Sequence, residues 1–248
     1  MLSYLYCVDD YGPVGTGTSL AHIVLAENGE KYIIKGPQLN PRAPYIAANE
    51  LVAATLAGVL SLPIMDYTII KMAGHFYFGS RWMDTDSFYP VITAELLQRC
   101  ENRQRVYDMV VFDTWLCNTD RHEDNLIVRR VDSKHLMMLN DHSHCLVGEG
   151  GNTRRLSSLI PSLPERYVTL PFVQQAIVEA SKLDSAVRAV EQLSDGIIKN
   201  AVQSVPNGLL STADRNTIQN FVLTRRDNLR DRFINGWGYF YKLDTGFE

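Results

Sequence analysis

The sequence lacks three features that mark particular protein classes: paired cysteines, a strong charge of one sign and a membrane-length apolar run. Its four cysteines, at positions 7, 100, 117 and 145, form no CxxC pair and no spacing typical of metal ligands. We therefore expect reduced thiols rather than a disulfide framework. The formal net charge of −4 gives no long-range attraction to nucleic acid or to acidic membranes, so we expect no direct nucleic-acid binding and no membrane partner.

The apolar segments are also too short for a membrane span or a secretion signal. The longest uncharged run, residues 51–65, is interrupted by Gly58, Ser61 and Pro63, and it is shorter than the roughly 20 apolar residues that cross a bilayer. The N-terminus has no basic segment followed by an apolar core. We expect a soluble, cytoplasmic chain, and 248 residues suffice for one large domain or two modest lobes around a cleft.

The apolar pattern changes near residue 92, from strand-like to helical. Short alternating segments predict a sheet of about five strands, at residues 4–8, 22–25, 31–35, 64–71 and 75–79. The Asn28-Gly29 dipeptide predicts a hairpin turn within it, and an alanine-rich helix is predicted over 46–60. Later segments predict helices at 94–99, 106–116, 172–183, 184–203 and 212–235, with a two-stranded hairpin at 126–128 and 136–139.

These elements predict an α+β fold with a β-rich N-lobe and a mostly helical C-lobe. We expect a single domain over residues 1–248, divided into an N-lobe at 1–80, a connector at 81–92 and a C-lobe at 93–248.

The densest polar cluster, residues 118–125, lies between a predicted helix and the predicted hairpin. Asp120 and Asn125 are five residues apart, and Asp141 follows at the end of a strand. A carboxylate can orient and deprotonate an attacking hydroxyl, while carboxylate and carboxamide oxygens can bind Mg²⁺ on nucleotide phosphates. The alternative is an ordinary polar loop, because Asp and Asn form turns routinely. The cluster alone does not separate these two interpretations.

Lys35 and Glu50 form a second candidate pair. Lys35 ends a strand, and Glu50 lies fifteen residues later on an alanine-rich face of the predicted helix. A carboxylate among apolar neighbours needs a cation, because an unpaired buried charge is costly. A strand lysine paired with a helix glutamate is the arrangement that directs an ammonium at nucleotide phosphates. A purely structural ion pair remains the alternative.

Two other interpretations of the motifs are less well supported. Residues 12–17 have the glycine spacing of a P-loop, but Thr18 stands where the lysine should be and strands follow instead of a helix, so we reject it. His142, His144 and Cys145, together with His122, suggest zinc, but no further motif completes four ligands. The order of glycine turn, lysine, glutamate, Asp-x4-Asn and strand-end aspartate is instead that of a protein kinase.

The chain resembles the HipA-like serine/threonine kinases in three segments. They are Asn118-Thr119-Asp120-Arg121-His122-Glu123-Asp124-Asn125, Tyr32-Ile33-Ile34-Lys35 and Asp141-His142-Ser143. The resemblance implies a bilobal protein-kinase-like fold with ATP and Mg²⁺ as cofactors. Because the chain begins almost at the first predicted strand, we expect a compact stand-alone member rather than a toxin with an extra N-terminal subdomain. The Asp-His-Ser triplet replaces Asp-Phe-Gly, and no Ala-Pro-Glu follows, so we do not expect the usual activation-loop control.

The resemblance also implies roles for individual residues. Asp120 would be the catalytic base, and Asn125 and Asp141 the Mg²⁺ ligands. Lys35, the second catalytic residue, would contact the ATP phosphates, with Glu50 beside it. The residues implied in ATP binding are Gly15, Thr16, Gly17, Thr18, Ser19, Lys35, Glu50, Ser80, Trp82 and Met83. Thr16, Thr18 and Ser19 are the hydroxyls available for autophosphorylation.

The expected function is therefore ATP-dependent phosphorylation of a protein serine or threonine. An antitoxin or regulatory partner is also expected on this resemblance. Two alternatives stay open: a small-molecule kinase on the same fold, and a pseudokinase that binds nucleotide or a partner without catalysis.

Overall fold

The computed structural model describes residues 3–15, 19–83, 92–148, 151–159 and 179–237. Within these ranges a strand-rich N-terminal part precedes a mostly helical C-terminal part. The predicted change of character near residue 92 is therefore confirmed. No helix in these ranges is both long and apolar enough to cross a membrane.

Five strands form a closed barrel in the order β1-β2-β3-β5-β4. They are β1 (Tyr4–Pro13), β2 (His22–Ala26), β3 (Lys31–Lys35), β4 (Tyr67–Met72) and β5 (His75–Arg81). The predicted hairpin turn joins β2 to β3, with Gly29 at a φ of 81°. The barrel closes where the first residues of β1 pair in parallel with β4, Tyr4 opposite Ile69. The sequence predicted the five strands but not this closure.

A single helix, α1 (Ile46–Val59), follows β3 and is buried around nearly its whole circumference. Such a helix lies inside a protein rather than on its surface. It contacts β5 on one side and a C-terminal helix on the other. Its two polar residues at buried positions, Asn49 and Glu50, therefore need partners within the protein.

The C-terminal part contains a hairpin and several helices. The hairpin strands are β6 (Leu126–Val131) and β7 (Lys134–Leu139). The helices are α2 (Ala94–Gln98), α3 (Arg105–Leu116), α4 (Leu156–Leu159), α5 (Ala180–Glu191), α6 (Asp195–Gln203), α7 (Thr212–Asp227) and α8 (Leu229–Trp237). Thr93 and Ser211 begin two of them, since each hydroxyl accepts a hydrogen bond from a backbone N–H three residues on.

Two predicted helices were too long. The predicted helix over 184–203 is interrupted between α5 and α6, because the Ser194 side chain accepts from the Ile197 N–H and starts a new helix. The predicted helix over 212–235 is interrupted at Asn228, which leaves the helical region with φ −110° and ψ 12°. Of the predicted helix over 172–183, residues 172–178 lie outside the described ranges, and the remainder begins α5.

The largest apolar cluster joins both parts of the chain. It contains α1, Ile69 and Phe78 from the barrel, and buried residues of α3, α5, α6 and α7 such as Trp115 and Phe221. A second, smaller cluster fills the barrel. The sheet and the helices therefore pack around α1, and the candidate site lies next to that helix.

Candidate active site

Residues from the two parts of the chain line one cavity of about 260 Å³. The lining residues are Ser19, Asn40, Ala43, Ile46, Asp120, His122, Asp124, Asn125, Asp141, Ser143 and His144. Four of these, Ser19, Asp120, Asn125 and Asp141, are site residues predicted from the sequence. Residues far apart in the chain thus meet at one polar cavity.

Asp120 is placed by the end of α3. Cys117 ends that helix in the left-handed region, at a φ of 55°. The buried Asn118 then donates from Nδ2 to Asp113 Oδ1 at 2.8 Å and accepts from the Asp120 N–H at 3.2 Å. The backbone of Asp120 is therefore fixed to α3, while 42% of its side chain is exposed to the cavity and solvent.

Arg121 points away from the cavity and joins the loop to its supports. It binds Asp113 through Nε at 2.8 Å and Nη2 at 3.0 Å, and Nη1 donates to the carbonyls of Asn125 and Asn140. Burial alone would lower the pKa of Arg121, but the Asp113 carboxylate outweighs it and the pKa is raised. These contacts make Arg121 a support of the loop rather than a phosphate ligand.

Lys35 lies between two carboxylates. Its Nζ is 2.7 Å from Glu50 Oε1 and 2.7 Å from Asp141 Oδ2. The predicted ion pair with Glu50 is present, and the contact with Asp141 was not predicted. Burial alone would lower the pKa of Lys35, but Asp141 and Glu50 together raise it above its ordinary value. Lys35 is therefore a fixed cation at the inner end of the site.

Asp141 has both carboxylate oxygens bound. Oδ2 contacts Lys35, and Oδ1 accepts from the Ser143 N–H at 3.1 Å and from Ser143 Oγ at 2.5 Å. Burial opposes ionisation of Asp141, but Lys35 and the Ser143 hydrogen bonds outweigh it, and the pKa lies far below its usual range. The residue is in the left-handed region, at a φ of 56°. Backbone strain of this kind is common at functional sites.

The oxygen atoms at the cavity fit a hard divalent cation. Asn125 donates from Nδ2 to the Asp120 carbonyl at 2.7 Å, and its Oδ1 makes no hydrogen bond within the described part of the chain. An ionised carboxylate and a free carboxamide oxygen are what Mg²⁺ takes from a protein when phosphates and water supply its other ligands.

The histidines do not form a zinc site in the described ranges. The Nδ1 of His142 lies 3.7 Å from Glu50, and its ring packs edge-on against Phe112. The Nε2 of His144 lies 3.6 Å from Asp120 instead. No group of three or more His, Cys, Asp or Glu side chains in the described residues could bind a metal. The two rings of the His-x-His segment thus face different carboxylates.

The other predicted ATP-binding residues are less closely associated. Ser80 lies in β5 and shares a small adjoining cavity with Glu50 and Asp141. Gly15, Trp82 and Met83 line neither of these two cavities. Thr16, Gly17 and Thr18 lie outside the described ranges.

Two residues at the site were not singled out from the sequence. Asn49 donates from Nδ2 to the Ser143 carbonyl, and Asp113 binds Arg121. His144, which the sequence suggested only as a zinc ligand, lines the cavity. Asn49 carried a detectable signal, because it is a polar residue beside Glu50 in a helix whose other residues are mostly apolar. Asp113 gave no such signal, since its partner follows a chain reversal.

A family model identifies a kinase family, and solved structures share a kinase-like fold. A model of the HipA-like kinase family matches residues 11–228. The chain is similar to the Helicobacter pylori proinflammatory kinase CtkA at 14% identity and a TM-score of 0.63, over 93% of this chain and 97% of that one. It is similar to HipA of Shewanella oneidensis MR-1, in a complex with HipB and operator DNA, at 10% identity and a TM-score of 0.57, over 96% and 69% of the two chains.

A third solved structure, the Golgi casein kinase, shares 10% identity with a TM-score of 0.50, over 95% of this chain and 72% of that one. Identities this low establish a shared fold alone. A comparison with curated protein sequences finds no significant match.

Proposed function

Because the chain belongs to the HipA-like kinase family, we propose that it transfers the γ-phosphoryl group of ATP, with Mg²⁺, to a serine or threonine of a protein. The observation that carries the proposal is the meeting of Asp120 and Asp141 at one cavity, with Lys35 bound directly to Asp141. These are the side chains that phosphoryl transfer requires: a cation for the phosphates, a carboxylate for the acceptor hydroxyl and a carboxylate for the metal.

In the proposed reaction Asp120 accepts the proton of the acceptor hydroxyl. The hydroxyl oxygen bonds to the γ-phosphorus as the bond from that phosphorus to the ADP oxygen breaks. Lys35, still paired with Glu50, contacts the α- and β-phosphates, and Asn125 and Asp141 would hold Mg²⁺. When bound, the metal neutralises charge on the phosphates. Asp120 suits the role of base because its side chain is exposed to the cavity while its backbone is fixed.

The finer arrangement is part of the same proposal. We take residues 1–248 as a single bilobal domain, with the N-lobe at 1–80, the connector at 81–92 and the C-lobe at 93–248. Gly15–Ser19 would cover the phosphates, and Ser80, Trp82 and Met83 would contact the adenine. Thr16, Thr18 and Ser19 are the proposed autophosphorylation sites. A regulatory partner of the antitoxin kind is also proposed, because the Shewanella HipA structure is of a complex with HipB.

The test is transfer of labelled phosphate. The purified protein is incubated with labelled ATP, Mg²⁺ and a cell lysate, beside Asp120→Ala and Asp141→Asn. Asp132→Asn is the matched control, because it removes an exposed carboxylate from the β6–β7 turn. We expect protein-bound label with the wild type and the control, and none with the other two variants. Intact-mass measurement of the expressed protein tests autophosphorylation directly.

Other outcomes distinguish the alternatives. ATP consumption without protein label would indicate a small-molecule acceptor. Thermal stabilisation by ATP and Mg²⁺ without any turnover would indicate a pseudokinase. Unchanged nucleotide binding and turnover in Lys35→Met would contradict the assignment of Lys35 to the phosphates.

A further inference from the structure

Asn49 forms a direct bond between α1 and the segment that contains Asp141. It is fully buried, and its Nδ2 donates to the Ser143 carbonyl at 2.8 Å. We infer that Asn49 is a positioning residue for phosphoryl transfer, which sets the orientation of the Asp141 carboxylate through Ser143. The inference rests on the proposed function and adds to it a residue that contacts neither nucleotide nor acceptor.

Two adjacent residues of α1 bind two adjacent residues of that segment. Glu50 Oε2 accepts from the His142 N–H at 3.0 Å, and Asn49 Nδ2 donates to the carbonyl oxygen of the next residue, Ser143. The two-residue segment from the His142 N–H to the Ser143 carbonyl is therefore held at both ends by one helix. A segment bound in this way has little freedom to rotate about its backbone dihedrals.

Ser143 passes this constraint to Asp141. Its N–H and its Oγ both donate to Asp141 Oδ1, at 3.1 and 2.5 Å. The other carboxylate oxygen, Oδ2, contacts Lys35. The plane of the Asp141 carboxylate is thus set from one side by Lys35 and from the other by Ser143, which Asn49 binds. Side chains that orient a metal ligand in this indirect way strongly affect metal affinity.

Stability alone does not account for an asparagine at this position. Its Oδ1 is buried and has no hydrogen-bond partner in the part of the chain that the structure describes. Leucine has a similar shape and would leave no such oxygen, although it would leave the Ser143 carbonyl unpaired instead. Because one unpaired oxygen replaces another, we expect Asn49→Leu to change the unfolding free energy little. The bond to Ser143 is what asparagine specifically provides.

The experiment compares variants at Asn49 with matched variants at Asn102. Asn102 also binds a backbone by its carboxamide, donating to Met137 O at 2.7 Å and accepting from Met137 N at 2.8 Å, but on β7. Asn49→Leu removes the Nδ2 donor to Ser143. Asn49→Asp keeps the side-chain shape but also lacks that donor at neutral pH, where the carboxylate is ionised. For both we expect the Mg²⁺ concentration for half-maximal ATP turnover to rise about 10-fold or more. The melting temperature should be nearly unchanged in Asn49→Leu and should fall in Asn49→Asp, which buries an unpaired charge. Asn102→Asp should leave the Mg²⁺ dependence unchanged.

A readout without nucleotide or metal accompanies the kinetics. Amide hydrogen exchange of a peptide spanning residues 141–146 should become faster in both Asn49 variants and stay unchanged in Asn102→Asp. This inference is overturned if Asn49→Leu turns over ATP at the wild-type rate with the wild-type Mg²⁺ dependence, or if its amide exchange in residues 141–146 is unaltered. Either result leaves the proposed function intact. A wild-type protein that turns over no ATP overturns the proposed function, and this inference with it.

Discussion

Asp141 makes the stability of the folded chain depend on pH in the acid range. Its pKa in the folded state lies far below the ordinary value of about 3.9, because Lys35 and Ser143 favour the carboxylate. As the pH falls, the unfolded chain therefore takes up this proton before the folded chain does. The stabilisation is fully present above about pH 4–5 and is lost as the pH falls toward the folded-state pKa.

We expect Asp141→Asn to unfold more easily than the wild type at pH 7 and to lose less stability between pH 5 and pH 2.5. The raised pKa of Lys35 does not affect this window, since its contribution is lost only as the pH rises above about 10. Urea unfolding at several pH values measures the difference. Parallel pH profiles of the two proteins would contradict the assignment.

Two aspartates of α3 form ion pairs with arginines, and we expect these pairs to contribute very differently to the unfolding free energy. Asp113 and Arg121 are both almost completely buried, whereas Asp108 and Arg105 are partly exposed. We expect Asp113→Ala to cost about 3–5 kcal/mol of unfolding free energy, because it leaves a buried guanidinium without its carboxylate. Asp108→Ala should cost no more than about 1 kcal/mol. Equal losses in chemical denaturation would contradict this distinction.

At the residue scale, spacing predicted which side chains meet but not how they bind. The five-residue interval from Asp120 to Asn125 and the isolated Glu50 were visible in the sequence. In the structure Asp120 and Asn125 line the cavity, and Glu50 binds Lys35 beside it. The Asp113–Arg121 pair depends on Cys117 reversing the chain in the left-handed region. Glycine usually occupies that position, so the sequence carried no signal for the reversal.

Helix α1 presents its buried face to the site and offers room for stabilisation at its exposed end. Gly58 lies in its last turn, and an added Cβ would meet no atom within 4 Å. We expect Gly58→Ala to raise the unfolding free energy by about 0.5–1 kcal/mol, because alanine favours the helix and restricts the unfolded chain. Urea unfolding checks the value.

Gly151 provides the contrasting case. A Cβ there would lie 2.2 Å from the Val147 carbonyl oxygen, a backbone atom that cannot rotate away. Gly151→Ala should therefore cost about 1–3 kcal/mol, as overpacking does. A neutral result in the same unfolding assay would show that this backbone contact can relax.

At the element scale, apolar periodicity located the helices but overestimated two of them. The i, i+3, i+4 pattern continues across Ser194 and Asn228, although the backbone leaves the helix near both. Apolar periodicity indicates which face of a helix is buried. It does not detect a break in the helix when the segments on both sides still direct their apolar residues toward the core. The Ser194 cap was readable in principle, since serine is a preferred first residue of a helix.

In the described ranges one large apolar cluster joins the strand-rich part to the helical part, and this predicts a single unfolding transition. Ile69 and Phe78 from the barrel pack in the same cluster as Trp115 and Phe221 from the helices. We expect tryptophan fluorescence and far-UV circular dichroism to give the same midpoint in urea. Two separate midpoints would mean that the strand-rich and helical parts unfold independently.

The order of strands in the barrel was the least predictable feature of the whole molecule. Local turns predicted the antiparallel neighbours β2 and β3 correctly. The parallel pairing of Tyr4–Tyr6 with Ile69–Lys71 joins segments that are more than 60 residues apart in the sequence. No turn specifies such a pairing, and only the joint packing of the five strands selects it.

Barrel closure also limits how another protein could bind this sheet. In the described residues, β2, β3 and β5 each have a neighbouring strand on both sides. The second half of β1, residues 7–13, pairs with β2 alone. That half contains two register irregularities, the carboxylates of Asp9 and Asp10, and Pro13. Bulges, charges and proline are the features that prevent strand addition at an edge. A protein that binds the described part of this edge is therefore expected to recognise its side chains rather than to add a strand to it.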